Sequence, residues 1–275
     1  MTRLALHHLT VSDVSHQELV AIAAETGCDS VCIFVNSNET PEAGKAPLFP
    51  LLAPAMKKEF ARQLKDDGIS VTNVDVFFLT ADAMLENYRS KLELGADLGA
   101  RAAVAMLAEP DAAKAVELVA QFSDMAAEFG LKVSLEFMGI TPGCQTLAQA
   151  INLIEQAGRN NVGVAADTLH MHLTGTSLAE LAALPPALLN SAQLCDIAAP
   201  FDPERISDFA RYVPLALERL TPGEGIITLR DYIKTLPADT YYDLEVPALA
   251  MRSQHGISAR QHAKKVVSAA RSYLD

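Results

Sequence analysis

The feature that most restricts what this chain can fold into is a rhythm. Short apolar runs near residues 4–9, 31–35, 71–78, 101–107, 131–137, 162–167, 190–196 and 240–246 alternate with longer stretches of helical period. Their starts lie 27, 40, 30, 30, 31, 28 and 50 residues apart. A strand, a crossover helix and the return to a parallel strand take about 30 residues, so each interval accommodates one such step. The runs are rich in Val, Ala and Leu at successive positions, as expected for strands covered on both faces. Eight steps in 275 residues predict an α/β chain forming one (β/α)8 TIM-barrel domain over residues 1–275. An open doubly wound sheet is the rival, but it calls for a glycine-rich turn after an early strand, and no GxGxxG occurs.

The intervening helices carry their own punctuation. Ser15 and Glu18 form a capping-box pattern ahead of Leu19-Val20-Ile22-Ala23, and Gly27 supplies a stop. Asp111 opens a helix closed by Gly130, Thr146 opens one closed by Gly158, and the last helix starts at Ser258. Two connections are long: residues 36–54 after the second strand and 197–226 after the seventh. Both fall on the side where barrel active sites form.

Composition narrows the function classes. The net charge is −12 and no basic stripe is present, so nucleic acid is not expected as a partner. No apolar run reaches the roughly 18 residues of a membrane helix, and the N-terminus lacks the shape of a secretion signal. Cys28, Cys32, Cys144 and Cys195 have neither metal nor redox spacing, which favours a reduced, cytoplasmic setting. The expected partner is a small-molecule substrate.

Four strand ends then stand out. Glu136 ends Lys132–Glu136, Asp167 ends Val162–Asp167, Gln193 lies in Ser191–Asp196 and Glu245 in Tyr241–Val246. Strand side chains alternate, so Ser134 shares a face with Glu136, Gly163 and Ala165 with Asp167, Ser191 with Gln193, and Tyr241 and Asp243 with Glu245. The opposite faces are apolar and should pack on helices, leaving four oxygen donors aimed at one mouth. Three carboxylates gathered without a counter-ion would repel and take up protons. Their natural occupant is a divalent cation, Mg²⁺ or Mn²⁺ before Co²⁺ or Zn²⁺. For any one of these residues a hydrogen bond to a loop is the alternative. Asp243 shares the parity of Glu245 and needs a base or a shared proton beneath it.

The text around these strand ends resembles the xylose isomerase-like TIM-barrel superfamily, which holds sugar phosphate isomerases, epimerases and related dehydratases. The matching segments are LEF at 135–137, VGVAADTLHMHLTG at 162–175, QLCD at 193–196, RLTPGEG at 219–225 and LEVP at 244–247. The resemblance implies that Glu136, Asp167, Gln193 and Glu245 bind the metal and that His170 and Arg219 touch substrate. The residues alone leave open a loop contact for His170 and an exposed salt bridge for Arg219. His172 reads as structural or solvent-facing, and only one of His7 and His8 can face the mouth.

Two departures bear on the reaction. Many epimerases of the family carry His where Gln193 stands, whereas dehydroshikimate and inosose dehydratases look similar here. The stretch Phe137–Pro142 also lacks the second Glu of keto-sugar epimerases. The expectation is a metal-dependent isomerase or epimerase of a small keto-sugar or polyol. Glu136 or Glu245 would abstract a proton α to a carbonyl, with His170 as a further catalytic group. A dehydratase of a cyclic keto-acid or cyclitol is the first alternative, and a sugar-binding barrel without turnover the second.

Overall fold

A computed structural model of the chain describes residues 3–37 and 48–274. Eight parallel strands close a barrel in sequence order: β1 (Arg3–His7), β2 (Ser30–Phe34), β3 (Ser70–Leu79), β4 (Ala102–Leu107), β5 (Lys132–Glu136), β6 (Val162–Asp167), β7 (Leu189–Leu194) and β8 (Tyr241–Leu244). Closure comes from β1, which pairs with β2 on one side and β8 on the other. The expected (β/α)8 architecture is therefore the observed one. Among the described residues no helix is long and apolar enough to cross a membrane.

The helix signals act where the sequence places them. Ser15 and Glu18 make a reciprocal capping box at the helix His16–Thr26, which ends on Gly27 at φ 78°. Thr146 and Gln149 do the same for Leu147–Ala157, and Asp111 caps Ala112–Glu128 through the amides of Ala113 and Lys114. These bonds satisfy amide groups that the first helical turn would leave without partners.

Strand parity sorts the barrel into two chemistries. Val133, Leu135, Val162, Val164, Ala192, Leu194, Tyr242 and Leu244 point outward into one apolar core shared with the helices. Facing inward, the C-terminal mouth is divided. On the β2–β4 side Phe34 and Val76 form a separate apolar cluster with Leu9, extended by Phe78 and Met106. On the β5–β8 side the mouth carries the acids and amide described below.

Strands β1, β7 and β8 each end two residues earlier than the apolar runs suggest. β1 stops at His7 because the His7 ring accepts the Leu9 amide and opens a 3-10 turn, His8–Val11. β8 stops at Leu244, where the Thr10 hydroxyl donates to the Leu244 carbonyl and accepts the Val246 amide. Of the long connection at 36–54, residues 38–47 lie outside the described residues. The other, 197–226, folds into a 3-10 turn at Pro203–Arg205 and a helix at Phe209–Leu217.

Candidate active site

Register brings the four strand-end residues to one height. Glu136 lies beside Ala165, Asp167 beside Gln193, and Gln193 beside Asp243, two residues before Glu245. All four side chains are buried. They form a connected cluster with Arg219 among them. The Arg219 Nη1 donates to Asp167 Oδ2 at 2.6 Å and its Nη2 sits 3.0 Å from Glu245 Oε1. Gln193 Nε2 donates to Glu245 Oε2 at 2.6 Å.

Arg219 reaches this position through a folded-back segment. Its backbone amide donates to the Pro247 carbonyl, and Leu220 exchanges both backbone hydrogen bonds with Asp196. Buried Asp196 then holds the PGEG turn, accepting the amides of Gly223 and Ile227 at 3.0 Å each. At Gly225 a Cβ would fall 2.3 Å from Asp196 Oδ1 and 2.4 Å from the Ile197 carbonyl, so that turn has no room for a side chain. The QLCD and PGEG segments thus act as the brace that delivers Arg219.

Asp167 has a second task. Its Oδ1 accepts the Leu169 and His170 amides at 2.6 and 3.4 Å, capping the short helix Thr168–Thr174. That turn sets His170 at the mouth, with Nε2 3.6 Å from Glu136 Oε1. Its Nδ1 meets the Tyr212 hydroxyl at 2.7 Å, and the two rings stack with centroids 5.7 Å apart. The Gly139 amide donates to the same hydroxyl oxygen at 3.2 Å. The Tyr212 proton then has His170 Nδ1 as its acceptor, which leaves the imidazole N–H on Nε2, facing Glu136.

The electrostatics follow from burial and from this single guanidinium. Burial and the charges of Glu245 and Asp167 push the Glu136 carboxyl well above its usual range. Burial also works to raise Asp167, but Arg219 prevails and its pKa lies below the ordinary value. Burial raises Glu245 despite the opposing charges of Arg219 and His7. Burial lowers His170 to about 4, so the ring is neutral near pH 7. With all three acids ionised, one guanidinium would leave two negative charges without balance.

That donor set suits a divalent cation. Gln193 offers the most direct sign: its amide nitrogen is committed to Glu245, and its buried Oε1 has no protein partner. A buried carbonyl oxygen left bare costs about 1–3 kcal/mol, and a cation would satisfy it while cancelling the excess charge. Glu136, Asp167 and His170 also present ligand atoms within 4.8 Å of one another.

A profile of the xylose isomerase-like TIM barrel matches residues 20–265. The chain belongs to this family. Among its relatives, the inosose isomerase of Bacillus licheniformis is 27% identical over 204 residues, covering 69% of this chain and 70% of the relative. Two solved structures share the fold. The IolI protein with a bound zinc atom superposes with a TM-score of 0.78 at 18% identity, over 99% of this chain and 98% of the other. The probable 3-DHS dehydratase AsbF of Bacillus anthracis superposes with 0.71 at 16% identity, over 98% and 99%. Within the family frame, the β5–β8 ends of this chain carry its acids and its glutamine.

The remaining histidines separate cleanly. His7 faces inward and His8 outward. His7 Nε2 lies 2.7 Å from Asp75 Oδ2, while the Leu9 amide donates to Nδ1 at 3.1 Å. Burial opposes a charge on His7, but Glu245, Asp75 and Asp243 outweigh it and raise its pKa to about 9. The Leu9 amide works against a second proton, because an imidazolium has no lone pair on Nδ1. In either form Nε2 keeps its proton and donates to Asp75. His7, Cys32 and Asp75 cluster within 4.8 Å, yet a ring committed in this way has no free Nε2 lone pair for an ion.

His8 instead packs edge-on against His16, with centroids 4.6 Å apart, and donates to the Val14 carbonyl. His172 donates to the Ala199 carbonyl at 2.9 Å, a loop contact in keeping with its structural reading. Asp243 finds its partners on β3, accepting from the Thr72 hydroxyl at 3.1 Å and from the Asn73 amide. Burial raises its pKa to about 7, against the opposing charge of His7. All four cysteines are reduced and buried. The sequence does not mark Tyr212, which lies in a helix of the β7–β8 connection, or Asp75, which lies in β3 where the register with β4 shifts between Val74 and Phe77 and simple alternation fails.

Proposed function

We propose that this isomerase/epimerase-like enzyme acts on a small keto-sugar or polyol, removing a proton α to a carbonyl. Glu136, Asp167, Gln193 and Glu245 would hold a divalent cation of hard-oxygen preference, Mg²⁺ or Mn²⁺ before Co²⁺ or Zn²⁺. Such an ion supplies the charge that keeps these acids ionised and makes the C–H beside a carbonyl more acidic. The observation carrying this reading is the bare, buried Oε1 of Gln193 beside three acids and a single guanidinium.

The chain's own groups divide the work. Glu245 is tied at both oxygens, to Arg219 and to Gln193, and serves best as a fixed ligand. Among the described residues the Glu136 carboxylate has one ion-pair contact within 4 Å, His170 Nε2 at 3.6 Å, and no hydrogen bond, so it is the freer base. Neutral His170, with its proton on Nε2 and Tyr212 behind it, can donate to a substrate oxygen. Arg219 faces the substrate side through the acids it orients. The apolar wall of Leu9, Phe34 and Val76 across the mouth would receive the less polar face of the substrate and keep water from it. Returning the proton to the opposite face or the neighbouring carbon gives epimerisation or isomerisation.

A dehydratase of a cyclic keto-acid or cyclitol is the second reading, favoured by one specific feature. His170 and Tyr212 form a proton-donating pair beside Glu136, suited to expelling a β-hydroxyl as water. The test is elemental analysis of protein purified without chelator, then incubation with keto-sugars and keto-cyclitols with Mg²⁺ or Mn²⁺ restored. An unchanged product mass supports isomerisation, and loss of one water supports dehydration. Absence of any bound or activating divalent ion would overturn the proposed ligand set.

A further inference from the structure

The floor of the barrel, at the strand N-termini, holds a second cavity far from the mouth. Its volume is about 430 Å³, and Arg101, Lys132, Asn190, Ser191, Asp239 and Tyr241 are among the residues lining it. These residues stand at the starts of β4, β5, β7 and β8, so the cavity spans the base from one side to the other.

The inward positions on the neighbouring strands are small. A barrel interior is ordinarily filled by layers of bulky branched side chains. Here β5, β6 and β7 contribute Ser134, Gly163 and Ser191. A Cβ at Gly163 would meet the Leu188 carbonyl at 2.5 Å and the Asn190 side chain at 2.7 Å. Its absence lets Asn190 fold in and donate to the Val133 carbonyl at 2.8 Å.

The lining is polar and positively charged. The Arg101 guanidinium lies over the Tyr241 ring, 4.1 Å from its centroid, which restrains the fork without using its N–H donors. Neither Arg101 nor Lys132 pairs with an acid among the described residues, and Asp239 is the only acid among the described lining residues. Ser191 is 5% exposed, lines the cavity, and its buried hydroxyl has no hydrogen-bond partner.

We propose that this floor is a binding site for a small oxyanion, a phosphate or a dicarboxylate, held by the Arg101 fork and the Lys132 ammonium. A guanidinium held flat on an aromatic ring matches the paired oxygens of either ligand. The site is separate from the acid cluster at the mouth, whose own guanidinium is already occupied by Asp167 and Glu245.

The test titrates the intact protein with inorganic phosphate and with malonate at constant ionic strength, following the melting temperature and the heat of binding. Saturable binding of one of the two is expected, and the stronger identifies the ligand class. Arg101→Ala with Lys132→Ala should weaken it at least about tenfold, the loss expected for one charge-assisted hydrogen bond. Ser191→Ala, at a lining residue whose hydroxyl oxygen is closed off from the cavity, should leave binding unchanged. Lys264→Ala, on the outer surface, should leave it unchanged. Chloride matching the effect of both probes, or equal affinity in the Arg101/Lys132 double variant, would overturn the site.

Discussion

Arg219 and Asp167 form a buried ion pair at 2.6 Å, and the same guanidinium reaches Glu245 at 3.0 Å. The acids of the mouth therefore have an internal counter-ion, supplied from the loop between β7 and β8. Removing one partner of a buried pair leaves the other charged and unsolvated, at a cost of about 3–5 kcal/mol. Arg219→Leu should lower stability by about that much in urea unfolding with chelator present. A divalent ion should restore part of the loss, since it can balance the same carboxylates. A change below about 1 kcal/mol would mean that the guanidinium is not compensating these acids.

Asp167 combines two roles that can be separated. One oxygen caps the helix Thr168–Thr174 and the other meets Arg219. Asparagine keeps the capping ability of aspartate but not its charge. Asp167→Asn should retain the fold while losing bound divalent metal in elemental analysis, whereas Asp167→Ala should lose metal and also about 1 kcal/mol of cap stability. Full metal occupancy in the asparagine variant would remove Asp167 from the ligand set.

The contrast between these residues and Tyr212 explains what the sequence could disclose. Strand period is local, so Glu136, Asp167, Gln193 and Glu245 could be assigned a common face from their immediate neighbours, and β–α spacing brought those faces together. The role of Asp196 as a brace is less legible, because its partners at Gly223 and Ile227 lie in an irregular loop. Tyr212 meets a histidine 42 residues away, and Asp75 meets His7 across 68. No periodicity marks such contacts, since the barrel closes first and the side chains then meet across it. Arg219 shows the same limit. Its motif placed it near the mouth, but its two carboxylate partners depend on how the chain folds back along Asp196.

Tyr212 offers a test of that missed contact. Its hydroxyl joins the Gly139 amide to His170 Nδ1. Tyr212→Phe keeps the stacked ring and removes the oxygen, so stability should fall by only about 1–2 kcal/mol. If the hydroxyl fixes the tautomer of His170, kcat should fall by about tenfold or more with KM little changed. Unaltered kcat on an identified substrate would make Tyr212 a packing residue alone.

The outward-facing histidines give the chain a sensitivity to acid set mainly by their burial. Burial, then the charge of nearby His16, lowers the His8 pKa to about 3, and burial lowers His16 to about 4. Unfolded histidine titrates near 6.5. Between these values the unfolded chain binds more protons than the folded one, so stability rises with pH. The contribution is complete above about pH 6.5 and is lost as pH falls toward about 3. A single histidine of this kind changes stability by about 1.4 kcal/mol per pH unit, or about 2 kcal/mol from pH 7 to pH 5. His8→Gln can still donate to the Val14 carbonyl, which His8 Nε2 contacts at 3.2 Å, but cannot titrate. Urea unfolding from pH 7 to pH 5 should give a shallower loss for the variant, by about 2 kcal/mol at the acid end. Parallel stability curves for the two proteins would show that His8 takes up no proton on unfolding in this range.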